Sequence, residues 1–424
     1  MPMRLSVKIK DLVLIIPIFF GFVSCSSQNI ATKTTPKSEN TTIVLEKTKE
    51  LGNCFKTATD RPEIYLPLLK NKTIAVVANQ TSLLEDKTHL VDFLVKNNIR
   101  IKHIFAPEHG FRGIADAGEH VKNGIDTKTG LPIISLYGDN KKPKAEQMQG
   151  VDLVLFDIQD VGVRFYTYIS TLTYVMEAAA ENNVEVMVLD RPNPHDGYID
   201  GPVLKEKWTS FVGLHKVPIV YGLTIGEYGK MVNGEKWLKN GLKAKYTLIP
   251  MLGYKKKEFH KISEKPSPNL PNDKSINLYP SLCFFEGTQV SVGRGTEFPF
   301  QAFGSPWLKN YEFSYTPKPT SGAKDPFLNG KLCFGEDLRK SPEIKEKLDL
   351  SFVINAYKNF DKKSQNFFLQ PEPGKNFWFD TLAGTDELRK QVIAGKSETE
   401  IRNSWKKDLE SFEKIRARYR IYED

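Results

Sequence analysis

The chain reads as an α/β protein of two domains sharing a cleft, the first a Rossmann-like parallel sheet with helices on each side. Three observations predict this. Short apolar runs rich in β-branched residues alternate with helical patterns through the first half, and their apolarity on both faces suits strands buried from both sides. The second half breaks that rhythm with proline- and glycine-rich turns and closes on two strong helical patterns. At 424 residues the chain is also too long for one small core.

In order, the predicted elements are a strand over Thr73 to Ala78, a helix over His89 to Asn97, and strands over Ile101 to Ala106, Ile133 to Tyr137 and Leu153 to Ile158. A helix over Ile169 to Asn182 and a strand over Val184 to Leu189 complete the series. The domain boundary is expected near residue 265, dividing a sheet domain of residues 61–265 from a second domain of residues 266–424. The second domain opens on the loop Ser267-Pro268-Asn269-Leu270-Pro271 and an aromatic, glycine-rich stretch from Tyr279 to Phe303. It ends in helices over Thr385 to Ile393 and Glu398 to Tyr419. Glu398, Ile401, Trp405, Leu409, Phe412 and Ile415 recur at three- and four-residue steps, which makes the last helix amphipathic and its aromatics core packing.

Residues 1–24 carry the marks of a lipoprotein signal peptide: Arg4, Lys8 and Lys10, then an apolar run from Leu12 to Val23. The run is shorter than the roughly 20 residues a spanning helix needs. Cys25, directly after Val23-Ser24, resembles a lipobox cysteine that cleavage leaves diacylated at the new N-terminus. Residues 25–60 are then the lipidated end and a flexible tether. From Ser26 to about Lys47 they are Ser, Thr, Lys and Asn, with too little apolar surface to offset the entropy of ordering. The expectation is an exported protein anchored to a membrane through Cys25. The lack of an acidic cluster after Cys25 favours the outer membrane, facing the periplasm.

The net charge is +9, of which +2 lies in the leader. The lysines are scattered and no basic block is interleaved with aromatics, which argues for solubility and attraction to anionic surfaces and against nucleic-acid binding. Cys54, Cys283 and Cys333 are too few and too widely spaced for a disulfide framework or a zinc site. No Gly-x-Gly-x-x-Gly follows the first strand, where Val77-Ala78-Asn79-Gln80-Thr81 stands, so no dinucleotide or other cofactor is expected. No Gly-x-Ser-x-Gly elbow supports a serine triad, and no His-x-x-x-His or similar spacing supports a metal.

In open parallel sheets ligands gather beyond the carboxyl ends of the strands, so the polar residues there are the candidates. The first cluster is Ala106-Pro107-Glu108-His109-Gly110-Phe111-Arg112-Gly113, with Asp116 and Glu119 close behind, and Glu108 is its strongest catalytic candidate. The second runs from Phe156-Asp157-Ile158-Gln159-Asp160 through Arg164, Tyr166 and Tyr168, a mixture suited to sugar hydroxyls and amides. The third, Asp190-Arg191-Pro192-Asn193, is mainly conformational, although Asp190 and Asn193 are candidates for the wall. From the second half come Asn269 and the stretch from Glu286 to Glu297, with Arg294 among glycines that let backbone approach a ligand. Glycoside hydrolysis needs an acid for the leaving oxygen and a partner for the oxocarbenium-like centre; Glu286, Glu297 and Asp160 are the candidates for that partner beside Glu108, the substrate's own 2-acetamido group being the alternative.

At these same residues the chain resembles the exo-β-N-acetylmuramidases of peptidoglycan recycling, a glycoside hydrolase family once known only as a domain of unknown function. The matching pieces are Pro107-Glu108-His109-Gly110-Phe111-Arg112-Gly113, Asp160 to Tyr168, Asp190 to Pro194, Ser267 to Pro271 and Glu286-Gly287-Thr288, within a similarity that runs from about Asp60 to the C-terminus. The resemblance implies a Rossmann-like domain with a smaller auxiliary α+β domain and an active cleft between them. It implies release of terminal N-acetylmuramic acid from non-reducing ends of peptidoglycan-derived saccharides, with Glu108 as the essential carboxylate. Muramic acid carries a lactyl carboxylate that glucosamine lacks, and Arg112, Arg164 and Arg294 are each candidates to bind it. His109, Gln159, Tyr166, Tyr168, Asn193, Asn269 and Glu297 complete the expected binding set. Two other classes fit less well: a non-catalytic lipoprotein that captures wall sugars, and a metal-dependent hydrolase or esterase of envelope glycans. No partner chain is expected, the monomer being the default.

Overall fold

Runs such as Thr73–Ala78, Leu153–Asp157 and Glu185–Leu189 have almost no polar face to offer water, so they lie inside a sheet covered on both sides. The computed structural model describes residues 43–44, 55–112, 123–344 and 346–424. The expected signal peptide, Cys25 and most of the tether fall outside them, as do Cys54, Gly113, Asp116 and Glu119.

The strands are β1 (Ile43–Val44), β2 (Thr73–Ala78), β3 (Arg100–Ala106), β4 (Gly124–Ile125), β5 (Pro132–Ser135), β6 (Leu153–Asp157), β7 (Glu185–Leu189) and β8 (Lys245–Ile249). They form one sheet in the order β1-β8-β7-β6-β2-β3-β5-β4, parallel throughout except where β4 runs against β5. Apart from β1, which adds an edge beside β8, the sheet is built from its middle: β2 first, outward through β3 and β5, then back to the other side of β2 with β6, β7 and β8. That is the Rossmann order, and its direction reverses between β2 and β6. Helices Leu90–Lys96 and Tyr168–Glu181 fall within a residue of their expected bounds.

A second, smaller sheet is antiparallel, with β9 (Ala302–Ser305), β10 (Phe313–Tyr315) and β11 (Cys333–Asp337) in the order β10-β11-β9. The two halves share a core. Phe165, from the turn after β6, stands edge-on to Tyr279 at 5.4 Å and to Phe284 at 6.1 Å between ring centroids. Everything described lies in one compact unit from Asn40 to Asp424.

The last helix, Glu398–Arg416, starts at a capping box between Ser397 and Glu400 and buries Ile401, Trp405 and Phe412, as its periodicity requires. It stops short of Tyr419, and the tail turns back onto the sheet. The Tyr422 hydroxyl donates to Asp190 Oδ2 at 2.7 Å and accepts from the Met251 amide at 2.9 Å. The Ile421 amide donates to Glu227 Oε1 at 2.8 Å, while Glu227 pairs at 2.7 Å with Lys256, both side chains fully buried. Asp190 directly follows β7, so the end of the chain closes one carboxyl edge of the sheet. Here the expectation that Asp190 lines a ligand site is corrected: it is fully buried, and it accepts from Tyr422, Thr224 and the Gly226 amide.

Candidate active site

In a sheet of this order a ligand would be expected where the direction reverses, between β2 and β6. That crevice is filled by the chain itself. The Ser82 hydroxyl donates to Asp157 O, the Gln159 amide donates at 3.0 Å to Thr81 Oγ1, and Thr81 Oγ1 donates at 2.6 Å to Asn79 Oδ1. Below them Asp157 accepts from Arg191 Nε at 2.5 Å and Nη2 at 2.9 Å, both side chains being buried. The open cavity, of about 950 Å³, lies instead beyond the end of β3. That is at the upper end of the range for small-molecule sites. Its wall takes Glu108, His109, Tyr137, Tyr166 and Thr167 from the first half and Asn269, Glu286, Arg294 and Trp378 from the second.

Glu108 stands two residues beyond β3, where an apolar strand turns sharply. The turn places His109 at φ 69° and Gly110 at φ 75°, two successive left-handed residues. For a histidine that conformation is uncommon and costs about 1 kcal/mol or more, and such strain persists where the surroundings over-determine it. His109 is buried in the cavity wall. The Thr167 hydroxyl donates at 2.9 Å to Glu108 Oε2. Tyr137 donates to the same carboxylate; burial first, and the neighbouring negative charge second, push its phenol far above the ordinary range. Thr167 precedes the helix Tyr168–Glu181, so one end of a rigid element fixes one carboxylate oxygen.

Across the cavity wall, Glu286 lies in the short 3-10 turn Cys283–Gly287 that continues the helix Asp273–Leu282. Its Oε1 accepts from Arg294 Nε at 2.8 Å and Nη2 at 2.7 Å. The Arg294 guanidinium in turn lies 5.0 Å over the Phe300 ring. Glycine follows Glu286 because a Cβ at Gly287 would stand 2.4 Å from the Phe379 backbone nitrogen. Cys283 donates weakly to Glu286 at 3.7 Å, and burial, then Glu286, push its thiol well above the usual range, so it is a neutral wall group. Asn269 holds the opposite loop, donating at 2.5 Å to Gly322 O. The Tyr166 hydroxyl donates at 2.8 Å to Pro266 O, and the residue lines the cavity.

Several residues expected in the site stand elsewhere, each for a physical reason. Asp160 is buried beneath the wall, its Oδ2 accepting from the Gly162 amide at 2.7 Å and from the Tyr221 hydroxyl. Gln159 donates at 2.7 and 2.6 Å to Asp160 O and Pro192 O. Arg164 is fully buried in the core, where it donates to Pro202 O, Val217 O, Leu382 O and Ala383 O at 2.7 to 3.0 Å. Tyr168 is buried behind Tyr166, accepting from Asn79 at 2.8 Å. Asn193 shapes a turn, accepting from the His195 amide at 2.7 Å and donating to Leu223 O at 2.7 Å. Arg112 forks onto Asp126 at 2.9 Å from each carboxylate oxygen and covers Phe111. Glu297 is exposed and outside the cavity wall.

Residues that motif reading did not nominate are Tyr137, Thr167, Lys141, Lys324, Asp325, Phe327 and Trp378. Tyr137 follows the end of β5, so the strand-end rule applied to that strand would have found it. Thr167 sits inside a quoted motif. Trp378 carries no local signal, since its neighbours Phe377 and Phe379 are also aromatic. Among the described residues no three His, Cys, Asp or Glu side chains converge as a metal-ligand group.

Two carboxylates on the wall of one cavity, one held by hydroxyls and the other by a guanidinium, supply what glycosidic cleavage requires, and the protein is a glycoside hydrolase. Residues 74–274 match the family model "Exo-beta-N-acetylmuramidase NamZ, N-terminal" and residues 277–422 its C-terminal counterpart, and the chain belongs to that family. It is 39% identical over 378 residues to the peptidoglycan beta-N-acetylmuramidase NamZ of Bacillus subtilis strain 168, covering 84% of this chain and 89% of that protein. Two crystal structures of DUF1343 family proteins from Bacteroides fragilis NCTC 9343 share the fold. One has a TM-score of 0.78 and 42% identity over 88% of this chain and 99% of that one. The other has a TM-score of 0.73 and 27% identity over 87% and 99%.

The buried Asp160 makes a prediction about stability. Burial pushes its carboxyl up to about 6 from an ordinary value of 3.8, against the opposing hydrogen bonds from Tyr221 and Gly162. Between about pH 4 and 6 the folded state therefore holds a proton the unfolded state has released, and this group's contribution falls as pH rises. Asp160→Asn removes that slope. Relative to the parent, the variant should gain about 1 to 3 kcal/mol in unfolding free energy between pH 4 and pH 7 by urea denaturation. A difference between the two proteins that does not change with pH would show that this carboxyl titrates normally.

Proposed function

We propose that this protein releases terminal β-linked N-acetylmuramic acid from the non-reducing ends of peptidoglycan fragments, with Glu108 as the catalytic carboxylate. The observation that carries the reading is Glu108 itself, in the cavity wall at the end of a buried strand, with one oxygen fixed by Thr167. The name of the Bacillus relative supports the substrate class. Cleavage transfers a proton from the Glu108 carboxyl to the glycosidic oxygen as the bond from C1 breaks; water then adds its hydroxyl to C1 and its remaining proton passes to the Glu108 carboxylate, which restores the acid. Glu286 is the carboxylate in the same wall that meets the positive charge developing at C1.

Glu108→Gln keeps the shape of the side chain and removes the proton donor. Its kcat on a β-N-acetylmuramide with a sugar leaving group should fall about 10²- to 10⁴-fold. On a nitrophenyl muramide, whose leaving group needs little protonation, the loss should be smaller. An equal loss on both, or none, would remove Glu108 from the acid role. Both rates should be indifferent to chelator; restoration of a chelated enzyme by a divalent ion would favour a metal-dependent hydrolase. Tight sugar binding without turnover by the parent protein would favour a capture protein.

Of the three arginines considered for the lactyl carboxylate, Arg294 is the one on the cavity wall. Glu286 occupies its Nε and Nη2 through a single oxygen, which leaves Nη1 to a ligand. Arg294→Ala should weaken inhibition by free N-acetylmuramic acid about 10- to 100-fold, the worth of a charge-assisted hydrogen bond, and leave inhibition by N-acetylglucosamine nearly unchanged. Equal weakening of both would assign Arg294 to holding Glu286 alone.

The same reading extends to location: Cys25 carries the lipid, the chain between it and the folded part tethers the enzyme, and it works at the periplasmic face of the outer membrane. The expected end of that tether at residue 60 is corrected, because Ile43–Val44 pair with β8 and Ala58 and Thr59 are fully buried. The apolar run from Leu12 to Val23 and the cysteine two residues after Val23 support it. Mass spectrometry of the membrane-extracted protein should find a diacylated cysteine at the N-terminus, and Cys25→Ala should shift the protein to the soluble fraction. An unmodified Cys25 in a soluble parent protein would dismiss the anchor.

A further inference from the structure

Among the described residues, four aromatic side chains are strongly exposed: Phe259, Phe327, Phe334 and Trp378. Two of them, Phe327 and Trp378, stand on the wall of the cavity. At 43% exposure Trp378 offers water a large apolar surface, and an indole on a cavity wall combines an apolar face with a polar N–H, which suits contact with an amphipathic ligand.

The exposure does not come from a loose element. Trp378 begins the helix Trp378–Ala383, whose next residue, Phe379, is fully buried. The Phe379 backbone lies against Gly287, directly beside Glu286. Asp380 accepts from Arg389 Nε at 2.9 Å and Nη2 at 2.8 Å, while the same guanidinium caps the Phe377 ring at 3.9 Å. At the far end, Arg164 takes the carbonyls of Leu382 and Ala383. The helix is therefore fixed at both ends and along one side, and it holds the indole in a set position relative to the turn that carries Glu286.

We propose that Trp378, assisted by Phe327, is the platform for the leaving-group sugar, the N-acetylhexosamine on the far side of the bond that is cut. This rests on the glycosidase reading above. A β-linked pyranose of gluco configuration carries its ring substituents equatorially and presents C–H groups on its faces, which an aromatic face covers well. The cavity, about 950 Å³, exceeds what one monosaccharide fills. Stacking is tolerant of what the second sugar bears further along, so this surface accepts the end of a longer chain.

The test compares two substrates of the mature protein in detergent: the β-1,4-linked disaccharide of N-acetylmuramic acid and N-acetylglucosamine, and methyl β-N-acetylmuramide. Both leave as alkoxides that need a proton, and only one leaves as a sugar. Trp378→Ala should lower the ratio of kcat/KM for the disaccharide to that for the methyl glycoside about tenfold, mostly through KM. Trp378→Phe should restore part of the ratio, and Phe327→Ala should lower it less. An unaltered ratio overturns the platform, whether both rates fall together, as a stack on the muramic ring or a damaged fold would produce, or neither falls. A parent protein that releases muramic acid from neither substrate overturns the glycosidase reading and the platform with it.

Discussion

A single buried guanidinium ties the two halves of this protein together. Arg164, at no measurable exposure, has no carboxylate partner among the described residues; it is held by four backbone carbonyls drawn from residues 202, 217, 382 and 383. Two of these are the last carbonyls of the helix Trp378–Ala383, where the peptide dipoles point their negative ends, and Gly384 turns left-handed just beyond. Burial lowers the guanidinium's pKa to about 9, which leaves it charged at neutral pH. A charge placed so deeply is stable only while all its acceptors stay in place. The turn after β6, the loops around residues 202 and 217, and the helix that carries Trp378 are therefore positioned as one assembly.

That assembly explains why the cavity lies where it does. The crevice between β2 and β6 is closed by Asn79, Thr81, Ser82 and Gln159, and is braced by the Arg191–Asp157 pair. With the crevice occupied, the ligand space moves one strand over, to the end of β3. There the strained His109 turn lifts Glu108 into the wall, and the second half supplies Glu286 and Arg294 to the same cavity. A parallel sheet thus serves as scaffold for a sugar site rather than as a nucleotide fold, because the hydroxyl and amide side chains after β2 replace the glycines that would let a pyrophosphate approach.

Much of the fold was legible in the sequence. β2 matches its expected bounds, and β3, β6 and β7 differ by a residue, since strands apolar on both faces have one stable environment. β8 was harder to find because Lys245, Tyr246 and Thr247 dilute its apolar run, and the helix Asp273–Leu282 was hidden by the proline and polar residues within it. The candidate site was half legible. Glu108, His109, Tyr166, Asn269, Glu286 and Arg294 meet at the cavity, whereas Asp160, Gln159, Arg164, Tyr168 and Asn193 became internal struts.

The sequence alone determined the strongly apolar strands β2, β3, β6 and β7, the helices between them and the last helix, and where an apolar strand ends in a charged turn, because those properties depend on residues a few positions apart. Which polar side chain then faces ligand was decided only by tertiary structure. Arg164 and Arg294 sit in equally polar, glycine-bearing motifs, yet one meets carbonyls more than 200 residues further on and the other meets a cavity. A buried donor must find an acceptor wherever the fold brings one, and that search runs through space rather than along the chain.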